Sequence, residues 1–194
     1  MSLRSGSIVA LLSAILVPFA AANNAASALS KCVVPPDEMR VLVSYLKWSA
    51  DEKNLTVVVT TTEATGIGID YANLRLAIGG HGTPSEVRND FKAKQKPACQ
   101  IPSVAGVPNL RLISERQYEQ LFRGGNGWSR FHRQYGRDAR LVTLSRVGFD
   151  SKKTIALFYA TDGIANMAGG GAVYVFRLRD GKWIEESQAP VWQT

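Results

Sequence analysis

Leu141-Val142-Thr143-Leu144-Ser145-Arg146-Val147-Gly148-Phe149, then Asp150-Ser151-Lys152-Lys153, then Thr154-Ile155-Ala156-Leu157-Phe158-Tyr159-Ala160-Thr161 is the stretch whose reading decides the fold. Two runs rich in β-branched and aromatic residues flank a short polar segment, the pattern of an antiparallel pair joined by a turn. Asp162 to Gly171 follows and reads as a glycine-rich loop. Ala172 to Leu178 makes a third strand, and Asp180-Gly181 forms a two-residue turn into Lys182-Trp183-Ile184. The C-terminal third is therefore expected to be an antiparallel meander of three to four strands.

Upstream the period changes. Pro36 opens a helix with Asp37 and Glu38 in its positively polarised first turn. Met39, Leu42, Val43 and Leu46 mark one apolar face, widened by Val41, Tyr45 and Trp48. Leu55 to Thr62 is dense in Val and Thr and reads as a strand, whereas Asp70 to Ile78 fits helix and strand equally. Thr83-Pro84-Ser85-Glu86 carries a capping box with proline at the first helical position. Pro97, Pro102 and Pro108 make Lys96 to Asn109 an extended loop, and Leu110 to Ile113 a short strand. Ser114 and Gln117 cap a further helix, which Gly124-Gly125 breaks. Trp128, Phe131 and Tyr135 begin a new helical stripe ended by Gly136. Helices first and a meander last predict an α+β domain, with N-terminal helices packed on an antiparallel sheet.

The first residues point to export. Arg4 precedes an apolar run from Ile8 to Ala22 that ends in Ala20-Ala21-Ala22, small residues suited to a signal peptidase. The reading is a signal peptide over 1–22, a flexible mature N-terminus over 23–35 and a single domain over 36–194. The run is shorter than the ~20 apolar residues a spanning helix needs, so a chain that does not span the membrane is expected. Lys31 stands where a lipoprotein signal requires a small residue before Cys32, which argues against lipidation. In an oxidising compartment Cys32 and Cys99 are expected to pair, closing a long loop worth about 4 kcal/mol in the chain-entropy view. Neither lies in a C-x-x-C or beside a histidine, so redox catalysis and zinc binding are not expected.

Motifs for chemistry are scarce. The glycine clusters at 66–68, 79–82, 124–127 and 169–171 lack the spacing of a phosphate-binding loop and read as turn glycines. No cofactor and no metal site follow from the residues. His81 and His132 are the only histidines, and no nucleophile motif accompanies them. Charge is more informative. Arg123, Arg130, Arg133, Arg137, Arg140 and Arg146 stand against the single acid Asp138 in that segment and carry most of the chain's net +7. Arginine forks suit phosphate and carboxylate groups, so the six are the candidate anion-binding patch. Export makes nucleic acid a poor partner for them.

Trp128-Ser129-Arg130-Phe131, Leu144-Ser145-Arg146-Val147-Gly148-Phe149, Ala156-Leu157-Phe158-Tyr159 and Gly181-Lys182-Trp183-Ile184 resemble the C-terminal half of a group of exported bacterial proteins with no assigned activity. That resemblance implies export and one α+β domain, and carries over no site residue. The functional expectation is a periplasmic or secreted, non-enzymatic binding protein for an anionic cell-envelope component. The alternative is a small envelope hydrolase using His81 or His132 with carboxylates.

Overall fold

A computed structural model describes residues 32–50, 53–63 and 83–194, and the chain from Lys31 to Thr194 forms one compact unit. The expected signal peptide, the ambiguous 70–78 segment and His81 lie outside the described residues. Among those described are four helices, α1 (Pro36–Ser49), α2 (Ser85–Lys94), α3 (Glu115–Phe122) and α4 (Gly127–Tyr135). Seven strands accompany them: β1 (Thr56–Val59), β2 (Leu110–Ile113), β3 (Arg140–Leu144), β4 (Gly148–Phe149), β5 (Ile155–Ala165), β6 (Ala168–Arg179) and β7 (Lys182–Gln193). The fold is α+β.

The strands form one sheet in the order β2-β1-β3-β5-β6-β7, with β4 beside β5. It is mixed rather than wholly antiparallel, because β1 pairs parallel with both β2 and β3. Parallel strands demand cover on both faces, and β1 shows it: Val58 packs towards α1 while Val57 and Val59 pack towards α3 and α4. α1 lays Val41, Leu42, Tyr45 and Leu46 on Val142, Leu144, Phe158 and Phe176. On the opposite face α2 sets Val87 and Phe91 against Leu157, Tyr159, Val173 and Val175. Phe131 and Tyr135 of α4 and Leu121 of α3 complete that side over β1 and β3.

Three local expectations change. Asp162 to Gly171 is not a loop; β5 and β6 run through it, leaving only Asn166 and Met167 at the tip. Glycine is needed in that strand because a Cβ on Gly171 would lie 2.9 Å from the Tyr159 ring, beneath the Trp192 indole that donates to Tyr159 Oη at 2.8 Å. The Thr83 capping box also fails. Helix α2 starts at Ser85, which makes Pro84 the cap residue and leaves Thr83 one position too early. Residues 32–35, expected to belong to a flexible N-terminus, are pinned: Gln100 N donates to Cys32 O at 2.8 Å and Val34 N to Gln100 O at 2.9 Å. The Ser114–Gln117 capping box forms as expected.

The S-R-V-G-F run is one strand broken in the middle. β3 and β4 both pair with β5, and Ser145, Arg146 and Val147 bulge between them. Ser145 Oγ accepts the Tyr159 N–H at 2.8 Å and donates to Arg146 O at 2.8 Å, serving backbone groups that the interrupted ladder leaves open. Gly148 then allows α2 to rest on the sheet, since a Cβ there would fall 2.6 Å from Phe91 Cα. The bulge turns Arg146 inward.

Candidate functional site

The six arginines do not share one surface. Arg146 is buried, with Nε donating to Glu38 Oε2 at 2.7 Å and Nη2 to Glu38 Oε1 at 2.6 Å. Glu38 is only 1% exposed and also accepts the Val147 N–H at 3.0 Å, while Lys94 Nζ stands 3.7 Å away. That carboxylate raises the guanidinium's pKa above its ordinary value, outweighing burial. Arg140 pairs with Asp162 and donates to Ser49 O at the end of α1. Arg130 acts as a helix cap: Nε donates to Leu121 O at 2.7 Å, Nη2 to Arg123 O at 2.7 Å and Nη1 to Gly125 O at 3.0 Å. Arg123, Arg133 and Arg137 are exposed and, among the described residues, form no ion pair. Half of the expected patch is thus occupied with internal carbonyls and carboxylates. The six side chains start from different elements, the end of α3, α4 and the residues after it, the start of β3 and the bulge, and so do not converge, which the one-dimensional charge density concealed.

His132 is likewise engaged, its Nε2 lying 2.6 Å from Ile164 O and its ring 5.9 Å from that of Trp128. No group of three or more His, Cys, Asp or Glu side chains converges on a possible metal position among the described residues. A shallow concavity of about 500 Å³ lies beside the Arg140–Asp162 pair, lined by Ala168, Gly170, Ala172 and Tyr174.

The larger feature is a groove of about 1000 Å³ on the outward side of α1. Met39, Val43, Val33, Pro102, Leu178 and Trp183 give it an apolar lining. One wall is the α1 stripe Pro36, Arg40, Val43, Ser44 and Lys47; another is the tip of the β6–β7 hairpin at Leu178, Gly181, Lys182 and Trp183. Helical spacing explains the first wall, since residues 36, 40, 43, 44 and 47 fall on one side of a helix whose other side carries the core. The groove keeps apolar surface in contact with water: Val33 is 54% exposed and Leu178 36%. Its rim is cationic. Arg40, Lys47 and Lys182 form no ion pair among the described residues, while Lys153 is held by Asp37 at 2.5 Å. Asp37 has its pKa lowered: burial alone would raise it, but the Lys153 bond and the Glu38 backbone N–H prevail.

Sequence reasoning missed both Glu38 and this groove. Glu38 read as a helix-dipole charge at N3, and nothing local says that it faces the core. The rim residues come from α1 and the hairpin turn, more than a hundred positions apart. Cys32 and Cys99 are bridged with Cα atoms 4.6 Å apart, closing a loop of 67 residues, as expected. No helix among the described residues is long and apolar enough to cross a membrane. The disulfide and the lack of such a helix are compatible with an exported protein. No protein-family model, curated protein or solved structure matches the chain.

Proposed function

We propose that the chain is an exported, non-enzymatic binding protein whose ligand is an anionic amphiphile, held with its acyl chain in the groove and its headgroup at the cationic rim. The observation that carries this reading is the coincidence of unburied apolar surface with Arg40, Lys47 and Lys182, cations that no acid neutralises among the described residues. Apolar contact supplies affinity in proportion to the area removed from water. The rim supplies selectivity, because ammonium and guanidinium groups favour carboxylate and phosphate headgroups over neutral ones. A cell-envelope lipid combines the two chemistries.

Titration with dispersed phosphatidylglycerol and phosphatidylcholine, followed by the change in tryptophan emission as Trp183 is covered, tests it. Binding of the anionic lipid should be at least ~10-fold tighter and weaken as salt screens the rim. The variant Arg40→Gln/Lys47→Gln/Lys182→Gln should lose that preference. Replacing the exposed arginines Arg123, Arg133 and Arg137 by Gln should leave it in place. Equal binding of the two lipids by the parent overturns the proposal, and loss only in the second variant would move the site to the arginine segment.

A further inference from the structure

The disulfide lies against a fixed cation. Glu38 occupies Nε and Nη2 of Arg146, and the remaining nitrogen, Nη1, stands 2.7 Å from Cys99 Sγ and 3.6 Å from Cys32 Sγ. The guanidinium cannot swing away, because two charge-assisted bonds to a carboxylate 1% exposed hold it. The acids nearby have their own partners: Glu38 with Arg146, Asp90 with Lys94 at 2.7 Å, and Asp37 with Lys153. A disulfide sulfur is a neutral, weak acceptor and makes little use of such a donor. A thiolate at the same place would make full use of it. The two sulfurs also differ in access, Cys99 being fully buried and Cys32 half-buried.

We propose that Cys32–Cys99 is a thiol–disulfide exchange site in which Cys32 is the sulfur attacked and Arg146 receives the departing Cys99 thiolate. An incoming small-molecule thiolate bonds to Cys32 Sγ as the Cys32–Cys99 bond breaks, and that electron pair passes to Cys99 Sγ. A second thiolate then attacks the incoming sulfur of the mixed disulfide and releases Cys32. The protein disulfide is reduced to two thiolates, which take protons from water where they are not held by Arg146, and the two small thiolates are oxidised to one small-molecule disulfide. Because a better-stabilised leaving thiolate departs faster, Arg146 accelerates the first step in a defined direction. It does the work that a C-x-x-C helix terminus or a histidine does elsewhere, which is why the cysteine spacing alone argued against redox chemistry. The proposal is independent of the ligand groove.

The test uses the whole chain. Oxidised protein is treated with glutathione, quenched with an alkylating reagent and mapped by mass. Glutathione should be found on Cys32 and the alkyl group on Cys99; the reverse assignment overturns the proposal. The double variant Glu38→Gln/Arg146→Met removes the cation without leaving a buried charge unpaired, and should exchange at least ~10-fold more slowly. An unchanged rate is also fatal. Should that variant fail to fold, thiolate absorbance of the reduced parent decides. One thiol should titrate at least ~1 unit below the ordinary value of about 8.5, and two thiols at or above that value refute the role of Arg146.

Discussion

The two sides of α1 treat charge in opposite ways. Its inward side buries Glu38 against Arg146, with the carboxylate and two guanidinium nitrogens matched to each other and the Val147 N–H added. Its outward side leaves Arg40 and Lys47 in water beside Met39 and Val43. A buried charge without its partner is unstable, so the inward pair is a condition of the fold. An exposed charge costs the fold almost nothing and stays available to a ligand. One helix thus carries a structural ion pair and a prospective binding rim only two residues apart, at positions 38 and 40.

The sharpest way to break this contrast is to orphan the inward carboxylate. Arg146→Met should cost about 3–5 kcal/mol, read from urea unfolding, because Glu38 would remain buried and unpaired. Adding Glu38→Gln should recover most of that loss. If the single variant is as stable as the parent, the pair is not a condition of the fold. Next in size is Gly148→Ala, on the strand that follows the bulge. Its Cβ would meet the Phe91 backbone, so α2 must lift, at a cost of about 1–3 kcal/mol in the same assay.

A smaller effect is expected in acid. Asp150 is buried, which by itself would raise its pKa. The N–H groups of Ile155 and Thr154, each at 2.6 Å, and the Thr154 hydroxyl at 2.8 Å lower it below the ordinary 3.8. A depressed carboxylate contributes stability that is complete above its unfolded pKa and is lost as pH falls through the folded value. The unfolding midpoint should therefore drop as pH falls below the ordinary carboxylate value of 3.8, with Asp37 adding to the same decline, and Asp150→Asn should flatten part of it. A parent midpoint that holds steady through that range would remove the loop anchor from the account. The smallest effect belongs to the outward side. Arg40→Gln/Lys47→Gln/Lys182→Gln should change stability by less than about 0.5 kcal/mol while abolishing the anionic-lipid preference. A large loss of stability would mean that the rim is structural, and the contrast between the two sides would collapse.

Much of the frame was legible in the chain. Period-3.6 stripes at Leu42, Tyr45 and Leu46 and at Phe131 and Tyr135 marked helices, since the residues that must leave water repeat at the spacing of the helix. The Ser114–Gln117 box and the Asp180-Gly181 turn marked element ends through bonds made within a few residues. The paired cysteines followed from their number and the expected compartment. The glycines of 169–171 misled because their strand role depends on Tyr159 and Trp192, which approach from β5 and β7. The parallel pairing of β1 was equally silent, since Thr56–Val59 says only that both faces are covered and not by what.

The sequence by itself determined the α+β class, the helix and strand positions that rest on local periodicity and turn chemistry, and the richness in basic residues. Tertiary structure alone decided which charges are spent. A bulge at 145–147 sends Arg146 to Glu38 and to the disulfide, capping draws Arg130 of α4 onto the C-terminal end of α3, and Arg140 turns to Asp162. The physical reason is that periodicity is a property of neighbours along the chain. Desolvation and pairing of a charge depend on groups as far apart as Glu38 and Arg146, which only the folded sheet brings within 2.6 Å.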